Sequence, residues 1–181
     1  MVAVRGSHLL NPQDFVIEQW CAGLKLAEQT EKSLIDAWYY ARDLMSTHPD
    51  QMKNATLMLQ SGVEMVEILH ELNMDAETLL TAMLFPIVAN KLTDWESLKE
   101  KFGAKITKLL KGVLEMDNIR QLNASHSANA LQVDNVRRML LAMVDDFRCV
   151  IIKLAERITF LRDAEHRCAE EDKVLAAKEC S

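Results

Sequence analysis

The sequence contains few residues that interrupt helices, with 5 glycines and 3 prolines among 181 residues. A chain of average composition would hold roughly 13 glycines and 9 prolines at this length. Strand-and-turn folds use both residues at their many turns, so the shortage argues against such a fold. The chain is instead rich in leucine, alanine, methionine, glutamate and lysine, which favour helices. We therefore predict an all-α fold.

Membrane, secretion and metal-binding signals are also missing. No apolar run approaches the roughly 18 residues that a membrane-spanning helix needs, and no positive region followed by an apolar segment marks a secretory signal. The four cysteines form no CxxC pair and show no ligand-like spacing with the five histidines: Cys21, Cys149, Cys168 and Cys180. Free thiols in a reducing compartment are favoured over disulfides or zinc. We expect a cytoplasmic protein with no membrane partner.

The charge balance excludes one broad class of function. A formal net charge of -6 and a pI near 5.4 are untypical of a free-standing nucleic-acid binder, which normally carries a basic surplus. A local basic run nevertheless occurs late in the chain: Arg137, Arg138, Arg148, Lys153, Arg157 and Arg162. We interpret it as a solvated helix face balanced by neighbouring acids. The alternative is a small docking face for an anion.

Apolar residues at helical spacing predict the first three helices. Val16, Trp20 and Leu24 recur every four residues after an Asn11-Pro12 start signal, which predicts one apolar stripe. The second helix is predicted from about 30 to 47, with a buried face of Leu34, Ala37, Trp38, Ala41 and Met45. A third helix begins near Asn54 and ends at 73–75. Residues 1–10 have no helical pattern, and we expect them to be flexible.

The fourth predicted helix, 76–84, is apolar on nearly every side and therefore belongs in the middle of the domain. Asp75 would cap its start, and Pro86 would lie at its end. Thr93 and Glu96 then have the spacing of a capping box at the start of a short helix. Gly103 suits the C-terminal cap of that helix.

The second half of the chain predicts two long helices around a polar segment. The first of them is predicted from four apolar residues at helical spacing: Ile106, Leu109, Leu110 and Val113. We interpret the polar residues 118–132 as a mobile loop. The next helix is predicted from about 133 to 162, undivided or broken near Asp145-Asp146, with a strongly buried segment at 149–154. Residues 170–181 are expected to begin a helix that leads to a further, absent domain.

Three segments, in order, resemble the hydrolase region of the RelA/SpoT-type enzymes, which make and degrade guanosine tetra- and pentaphosphate. They are 66–84, beginning VEILHELNMD; 102–113, beginning FGA; and 135–157, which contains NVRRMLLAMVDDFR and IKLAER. The third segment is the most specific. The resemblance extends over residues 58–162 and implies an all-helical His-Asp (HD) fold.

The resemblance also implies a site. In active hydrolases of this family a divalent metal, typically manganese, is held by a His, a His-Asp pair and a distant Asp, and a Glu-Asp pair supports the attacking water. In this sequence Ser61 stands at the position of the first His, Phe85 and Pro86 at the His-Asp pair, and Glu156 at the distant Asp. Ala89 and Asn90 stand at the Glu-Asp pair. A single carboxylate cannot hold a transition metal with useful affinity. The resemblance therefore implies an inactive site with no catalytic residue, no metal and no other cofactor.

This pattern is similar to the RelA-type, synthetase-only branch of the family, whose members are GTP pyrophosphokinases of the stringent response. The resemblance implies that residues 1–181 form one regulatory domain, whose partner is a synthetase domain of the same longer protein. The ribosome and uncharged tRNA would be contacted only by other regions of that protein. Two alternatives stay open: a residual metal-dependent phosphohydrolase, and a plain helical protein-interaction module.

Two acidic features have structural interpretations of their own. Asp145-Asp146 could suggest an acid/base pair, but Arg148 beside them favours a solvated or salt-bridged helix face. Glu156 is either a remnant of the old site or a partner of Lys153 or Arg157 on its own helix.

Overall fold

A computed structural model describes residues 15–47, 52–123, 137 and 146–179, with side chains over 15–47, 55–116, 137 and 146–164. This part of the chain forms seven α-helices and no β-strand. In chain order they are α1 (Ile17–Leu24), α2 (Glu28–Ser46), α3 (Met52–Glu71), α4 (Ala76–Ala89), α5 (Trp95–Phe102), α6 (Ala104–Asn123) and α7 (Arg148–Glu179). The predicted all-α fold is confirmed. In the same ranges, no helix combines the length and apolar character needed to cross a membrane.

Helix α4 forms the centre of the fold. Its residues 78–88 are all buried, and α2, α3, α6 and α7 pack around it. The carboxylate of Asp75 caps the helix by accepting hydrogen bonds from the backbone N–H of Thr78, at 3.1 Å, and from the Thr78 hydroxyl. Both the predicted cap and the predicted central position are confirmed. A helix apolar on every side is stable here because other helices cover all of its faces.

The predicted end of α4 was wrong. The helix does not stop before Pro86 but continues through it to Ala89. A proline inside a helix removes one backbone hydrogen bond and costs roughly 3 kcal/mol, but the continuous burial of α4 outweighs that cost. The last turn is secured by Asn90, whose backbone N–H and side-chain Nδ2 both donate to the Pro86 carbonyl, at 3.2 and 2.7 Å.

The packing of α1 also differs from the prediction, whereas that of α2 agrees with it. All five residues predicted on the buried face of α2 are buried. On α1 the buried residues are Ile17 and Cys21, while Val16 precedes the helix and is 45% exposed. Trp20 and Leu24 are only partly buried. Trp20 stays at the edge because its indole N–H donates to Glu67 Oε1 on α3, at 2.8 Å.

The short helix α5 has a different cap from the predicted one. Asp94, not Thr93, accepts from the backbone N–H of Ser97, at 2.8 Å. The Thr93 hydroxyl instead shares a 2.7 Å hydrogen bond with the hydroxyl of Tyr40 on α2. Gly103 ends the helix as predicted, with a φ of +90° that other residues rarely adopt.

Helix α6 buries the four predicted apolar residues but is longer than predicted. It continues to Asn123, so 118–123 are helical and the polar loop cannot begin at 118. The rest of that segment, 124–132, lies outside the described residues, as do 1–10, 180–181 and, apart from the helical Arg137, 133–145.

Of the two alternatives for this segment, undivided or broken near Asp145-Asp146, the structure shows the second. Helix α7 starts at Arg148, and Asp146 Oδ1 accepts from the Arg148 backbone N–H, at 3.1 Å. Within the segment predicted to be strongly buried, Cys149 and Ile152 are buried but Leu154 is 56% exposed. Leu154 was therefore wrongly assigned to the core, because α7 turns only one face toward α3, α4 and α6.

Candidate functional site

The six positions implied by the family resemblance lie on three neighbouring helices. Ser61 is on α3, and Glu156 is on α7. The other four are at the end of α4 or directly after it: Phe85, Pro86, Ala89 and Asn90. Gly62, beside Ser61, lets α3 approach α4 closely, because a Cβ at this position would lie 3.2 Å from the carbonyl oxygen of Met83. The fold therefore brings the three helices together where the family's site would lie.

Ser61 and Glu156 meet in one cavity, which we name the α3–α7 cavity. It has a volume of about 110 Å³ and is lined by four residues of α3 and four of α7: Leu57, Gln60, Ser61, Glu64, Glu156, Thr159, Phe160 and Asp163. Phe85, Pro86, Ala89 and Asn90 do not line it. Phe85 and Pro86 are buried in α4, while Ala89 and Asn90 are exposed at its end.

A lysine ammonium lies between Phe85 and Glu156. Lys153 Nζ is 5.5 Å from the centroid of the Phe85 ring and 2.8 Å from Glu156 Oε2. The two charged side chains are largely shielded, with 12% of Lys153 and 21% of Glu156 exposed. Of the alternatives left open for Glu156, the ion pair with Lys153 is observed. The guanidinium of Arg157 instead lies over the Phe160 ring, 5.0 Å from its centroid.

The residues at these positions do not fit a divalent metal. They offer one hydroxyl, one aromatic ring, one proline and one carboxylate, and that carboxylate already faces the Lys153 ammonium. Throughout the described ranges, no group of three or more His, Cys, Asp and Glu side chains could hold a metal ion. Transition metals need several imidazole, thiolate or carboxylate ligands around one point. This donor set therefore gives manganese no site.

The two positions that the resemblance assigns to the family's Glu-Asp pair carry no acid/base group. Ala89 has only a methyl group, and the Asn90 side-chain amide donates to the Pro86 carbonyl at 2.7 Å. A general base must carry a group whose pKa lies near the working pH and must reach the water that it activates. Asn90 instead serves to end α4.

Acceptor oxygens dominate the polar lining of the α3–α7 cavity. Glu64, Glu156 and Asp163 contribute three carboxyl groups, and burial raises the pKa of Glu64 despite the opposing charge of Arg162. Gln60 is 7% exposed and donates its Nε2 to Glu64 Oε1, at 2.9 Å. Gln60 Oε1 is buried and accepts no hydrogen bond within the described part of the chain, and neither does Glu156 Oε2, which has only its ion pair.

Gln60 and Glu64 were not among the positions predicted from the sequence. A signal for them existed, because Glu64 lies three positions after Ser61 on the same helix and Gln60 lies four positions before Glu64. That spacing would have placed both side chains around the Ser61 position. It could not have shown that the Gln60 oxygen has no donor within the described ranges, since this depends on which groups α7 brings to the opposite wall.

Most of the charged groups at the start of α7 are paired within the fold. Arg148 contacts three carboxylates: Asp146 at 2.6 Å, Asp75 at 2.6 Å and Glu77 at 3.0 Å. These partners raise the pKa of Arg148, and hydrogen bonds from Arg148 hold the pKa of Asp146 below its usual value. The interpretation of Asp146 as a salt-bridged residue is confirmed, while Asp145 lies outside the described residues.

The described cysteines are structural. Cys21 and Cys149 are free and buried, and burial raises the pKa of the Cys21 thiol to about 12 and raises that of Cys149. A thiol with a raised pKa is a poor nucleophile at neutral pH, because the thiolate is the reactive form. The side chains of Cys168 and Cys180 lie outside the described residues.

Comparisons with known proteins agree with this architecture. The family model described as "HD domain" matches residues 37–181. The chain is 97% identical, over all its 181 residues, to a GTP pyrophosphokinase of Haemophilus influenzae, and 48% identical over its full length to a GTP pyrophosphokinase of Escherichia coli. It is 30% identical, over 76% of its length, to the bifunctional (p)ppGpp synthase/hydrolase SpoT of Escherichia coli. The chain spans 24% of each of the two GTP pyrophosphokinases and 19% of SpoT.

Proposed function

The chain belongs to the HD domain family, and from this and its RelA/SpoT-type relatives we propose that it is a catalytically inactive, regulatory relative of the (p)ppGpp hydrolases. In this proposal it forms one domain of a longer GTP pyrophosphokinase and sets the activity of a synthetase domain in the same protein. Contacts with the ribosome and uncharged tRNA belong to other parts of that protein.

One observation carries the inactive part of the proposal. The Lys153 ammonium lies 2.8 Å from Glu156, at the one family position that keeps a carboxylate. A divalent metal at Glu156 would have to lie close to this ammonium, and like charges at such short range repel strongly where water is largely excluded. Phe85 fills the position of the family's histidine with a buried ring that has no metal-binding atom.

A hydrolysis assay tests this part directly. The chain is incubated with guanosine tetraphosphate and manganese, and released pyrophosphate is measured beside a SpoT-type hydrolase as positive control. We expect release at the rate seen in buffer with manganese alone. Sustained turnover above that rate, together with manganese that stays bound through gel filtration, would favour the residual phosphohydrolase and reject the proposal.

A double variant tests how far the site has diverged from that of the active hydrolases. The double substitution Phe85→His and Pro86→Asp returns the family's His-Asp pair while Ser61 and the Lys153–Glu156 ion pair remain. We expect no recovery of hydrolysis, because the metal would still lack the first imidazole and would still meet the ammonium. Recovered turnover in this variant, confirmed as folded by circular dichroism, would mean that two ligands and Glu156 suffice.

The regulatory part is tested in the longer protein. We expect removal of residues 1–181 from the full-length Haemophilus relative to change its basal synthesis of (p)ppGpp from ATP and GTP by about fivefold or more, within the usual range of coupling between sites. Adding the separate 181-residue chain back should reverse part of the change. Equal rates with and without the domain would reject regulation and favour a module that binds another protein.

A further inference from the structure

We propose that the α3–α7 cavity is a binding site for a small organic cation, an ammonium or guanidinium group carried on a short aliphatic chain. The inference goes beyond the function proposed above and does not depend on it. It assigns a ligand chemistry to the space that remains beside the altered family site.

An unpartnered acceptor in the cavity wall is the first argument. Gln60 is 93% buried, because only 7% of it is exposed, and its Oε1 accepts no hydrogen bond within the described residues. A buried polar atom without a partner costs about 1–3 kcal/mol. The amide cannot simply rotate to correct this, because Oε1 would then face the Glu64 carboxylate that now accepts from Nε2 at 2.9 Å. A ligand that donates a hydrogen bond would remove the cost.

The charge of the lining favours a cationic donor over a neutral one. Glu64, Glu156 and Asp163 line the cavity, and none of its eight lining residues in the described part of the chain is basic. Burial raises the pKa of the Glu64 carboxyl against the opposing effects of the Gln60 hydrogen bond and the Arg162 charge, because burial disfavours the charged form. Lys153 compensates Glu156 but is not part of the cavity lining. A positive group inside the cavity would therefore gain both hydrogen bonds and Coulomb energy.

Size and geometry separate this ligand from a metal ion and from a single water. The acidic side chains of the described chain include no group that could hold a metal. The volume of about 110 Å³ is several times the roughly 10–15 Å³ that a cavity needs to hold one ordered water. An ammonium group has three N–H donors and a guanidinium group has five. Such a group can therefore bind several acceptors of the cavity wall that do not converge on one metal ion.

Two apolar side chains in the cavity lining offer a surface on which the aliphatic chain of the ligand would pack. Leu57 on α3 and Phe160 on α7 line the same cavity as the acceptors and are 36% and 50% exposed. They are therefore open to solvent, whereas Gln60 is buried. A cation bound through its head group would lay its carbon chain on these two side chains and cover apolar surface that is otherwise wet.

The test uses the 181-residue chain without nucleotide and four probes of similar length. Butylammonium and butylguanidinium are titrated while the side-chain amide of Gln60 is followed by ¹⁵N–¹H NMR, with butyrate and 1-butanol as anionic and neutral controls. We expect saturable shifts of the Gln60 amide with the two cations only. A further arm with N-acetyl-arginine amide identifies the source of the cation. Binding of this probe points to an arginine side chain of another protein, and its exclusion points to a free small molecule.

Three variants make the assignment specific. Gln60→Met removes the unpartnered oxygen while keeping the length of the side chain, and Glu64→Gln removes one charge without changing shape. We expect each to weaken butylammonium binding by about tenfold, the effect of one charge-assisted hydrogen bond. Glu100→Gln removes a charge from the exposed surface of α5 and should leave the affinity unchanged.

The outcomes that overturn the proposal are distinct. An absence of saturable shifts, equal binding of 1-butanol, or parent-like affinity in both cavity variants would each show that the cavity does not select a cation. If Gln60→Met fails to fold, the isosteric Glu64→Gln still decides the matter. Because no nucleotide or hydrolysis is involved, failure here leaves the proposed regulatory function untouched.

Discussion

The Lys153–Glu156 ion pair offers the sharpest test of how the altered site is organised. A double-mutant cycle would combine Lys153→Met, Glu156→Gln and the double variant, with the free energy of unfolding measured by urea denaturation. Methionine keeps most of the apolar stem of the lysine side chain, and glutamine keeps the shape of glutamate. The cycle isolates the coupling between the two charges from the other contacts of each residue.

The magnitude follows from the shielding of the pair. Exposed ion pairs contribute about 0–1 kcal/mol, whereas removal of one partner from a fully buried pair costs about 3–5 kcal/mol. With 12% and 21% of the side chains exposed and a separation of 2.8 Å, this pair lies between the two cases. We expect Lys153→Met to cost about 2 kcal/mol, and the coupling free energy to be about 1–2 kcal/mol. In a chain of this length, 2 kcal/mol would lower the melting temperature by roughly 4–8 °C.

The chain provides its own control. Lys32 and Glu28 on α2 form a pair of similar length, 2.6 Å, but their side chains are 65% and 83% exposed. The same cycle on this pair should give a coupling of about 0.3–0.5 kcal/mol that largely disappears in 1 M salt. A Lys153–Glu156 coupling no larger than this, or equally sensitive to salt, would refute the idea that the ammonium is held in a shielded site.

Three further predictions concern packing and charge elsewhere. Gly112→Ala should destabilise the chain by about 1–3 kcal/mol in urea denaturation, because its Cβ would lie 2.7 Å from Cys149 Sγ. Gly23→Ala, with no atom within 4 Å of the new Cβ, should instead be neutral or stabilise by up to about 1 kcal/mol. Arg148→Met should lower the free energy of unfolding by about 2–3 kcal/mol. It should also weaken the fall of stability at acid pH, because the lowered pKa of Asp146 gives stability that is present above pH 3.8 and lost as the pH falls. The raised pKa of Glu64 predicts that stability declines as the pH rises from 4.5 through that pKa, and melting curves of Glu64→Gln should lack this decline. If the pH profile of stability is unchanged in Arg148→Met or in Glu64→Gln, the pKa shift assigned to Asp146 or to Glu64 is contradicted.

Predictions from local sequence patterns and predictions of helix ends and burial differed in how well they agreed with the structure. Some patterns that depend on near neighbours predicted the structure correctly: the buried face of α2 and the Asp75 cap of α4 follow from spacing and capping chemistry within one or two turns. Others did not, since Asp94 and not Thr93 caps α5 and Val16 lies outside α1. Predictions of where a helix ends or what it buries were weaker. Pro86 inside α4 and the exposed Leu154 on α7 depend on how many neighbouring helices cover each position. The family resemblance marked six site positions, but it could not say what occupies the space between them.

The sequence by itself determined that the chain is helical, since few helix-breaking residues and regular apolar spacing are local properties. Through the family resemblance it also predicted that Phe85 and Pro86 stand where active relatives have a His-Asp pair. Only the tertiary structure decided that Ser61 and Glu156 line one cavity, that Lys153 supplies a cation beside Glu156, and that the Gln60 oxygen has no donor among the described residues. The physical reason is that each of these depends on how α3, α4 and α7 cross. Helix crossing is set by the packing of side chains distant in sequence, and no local pattern encodes it.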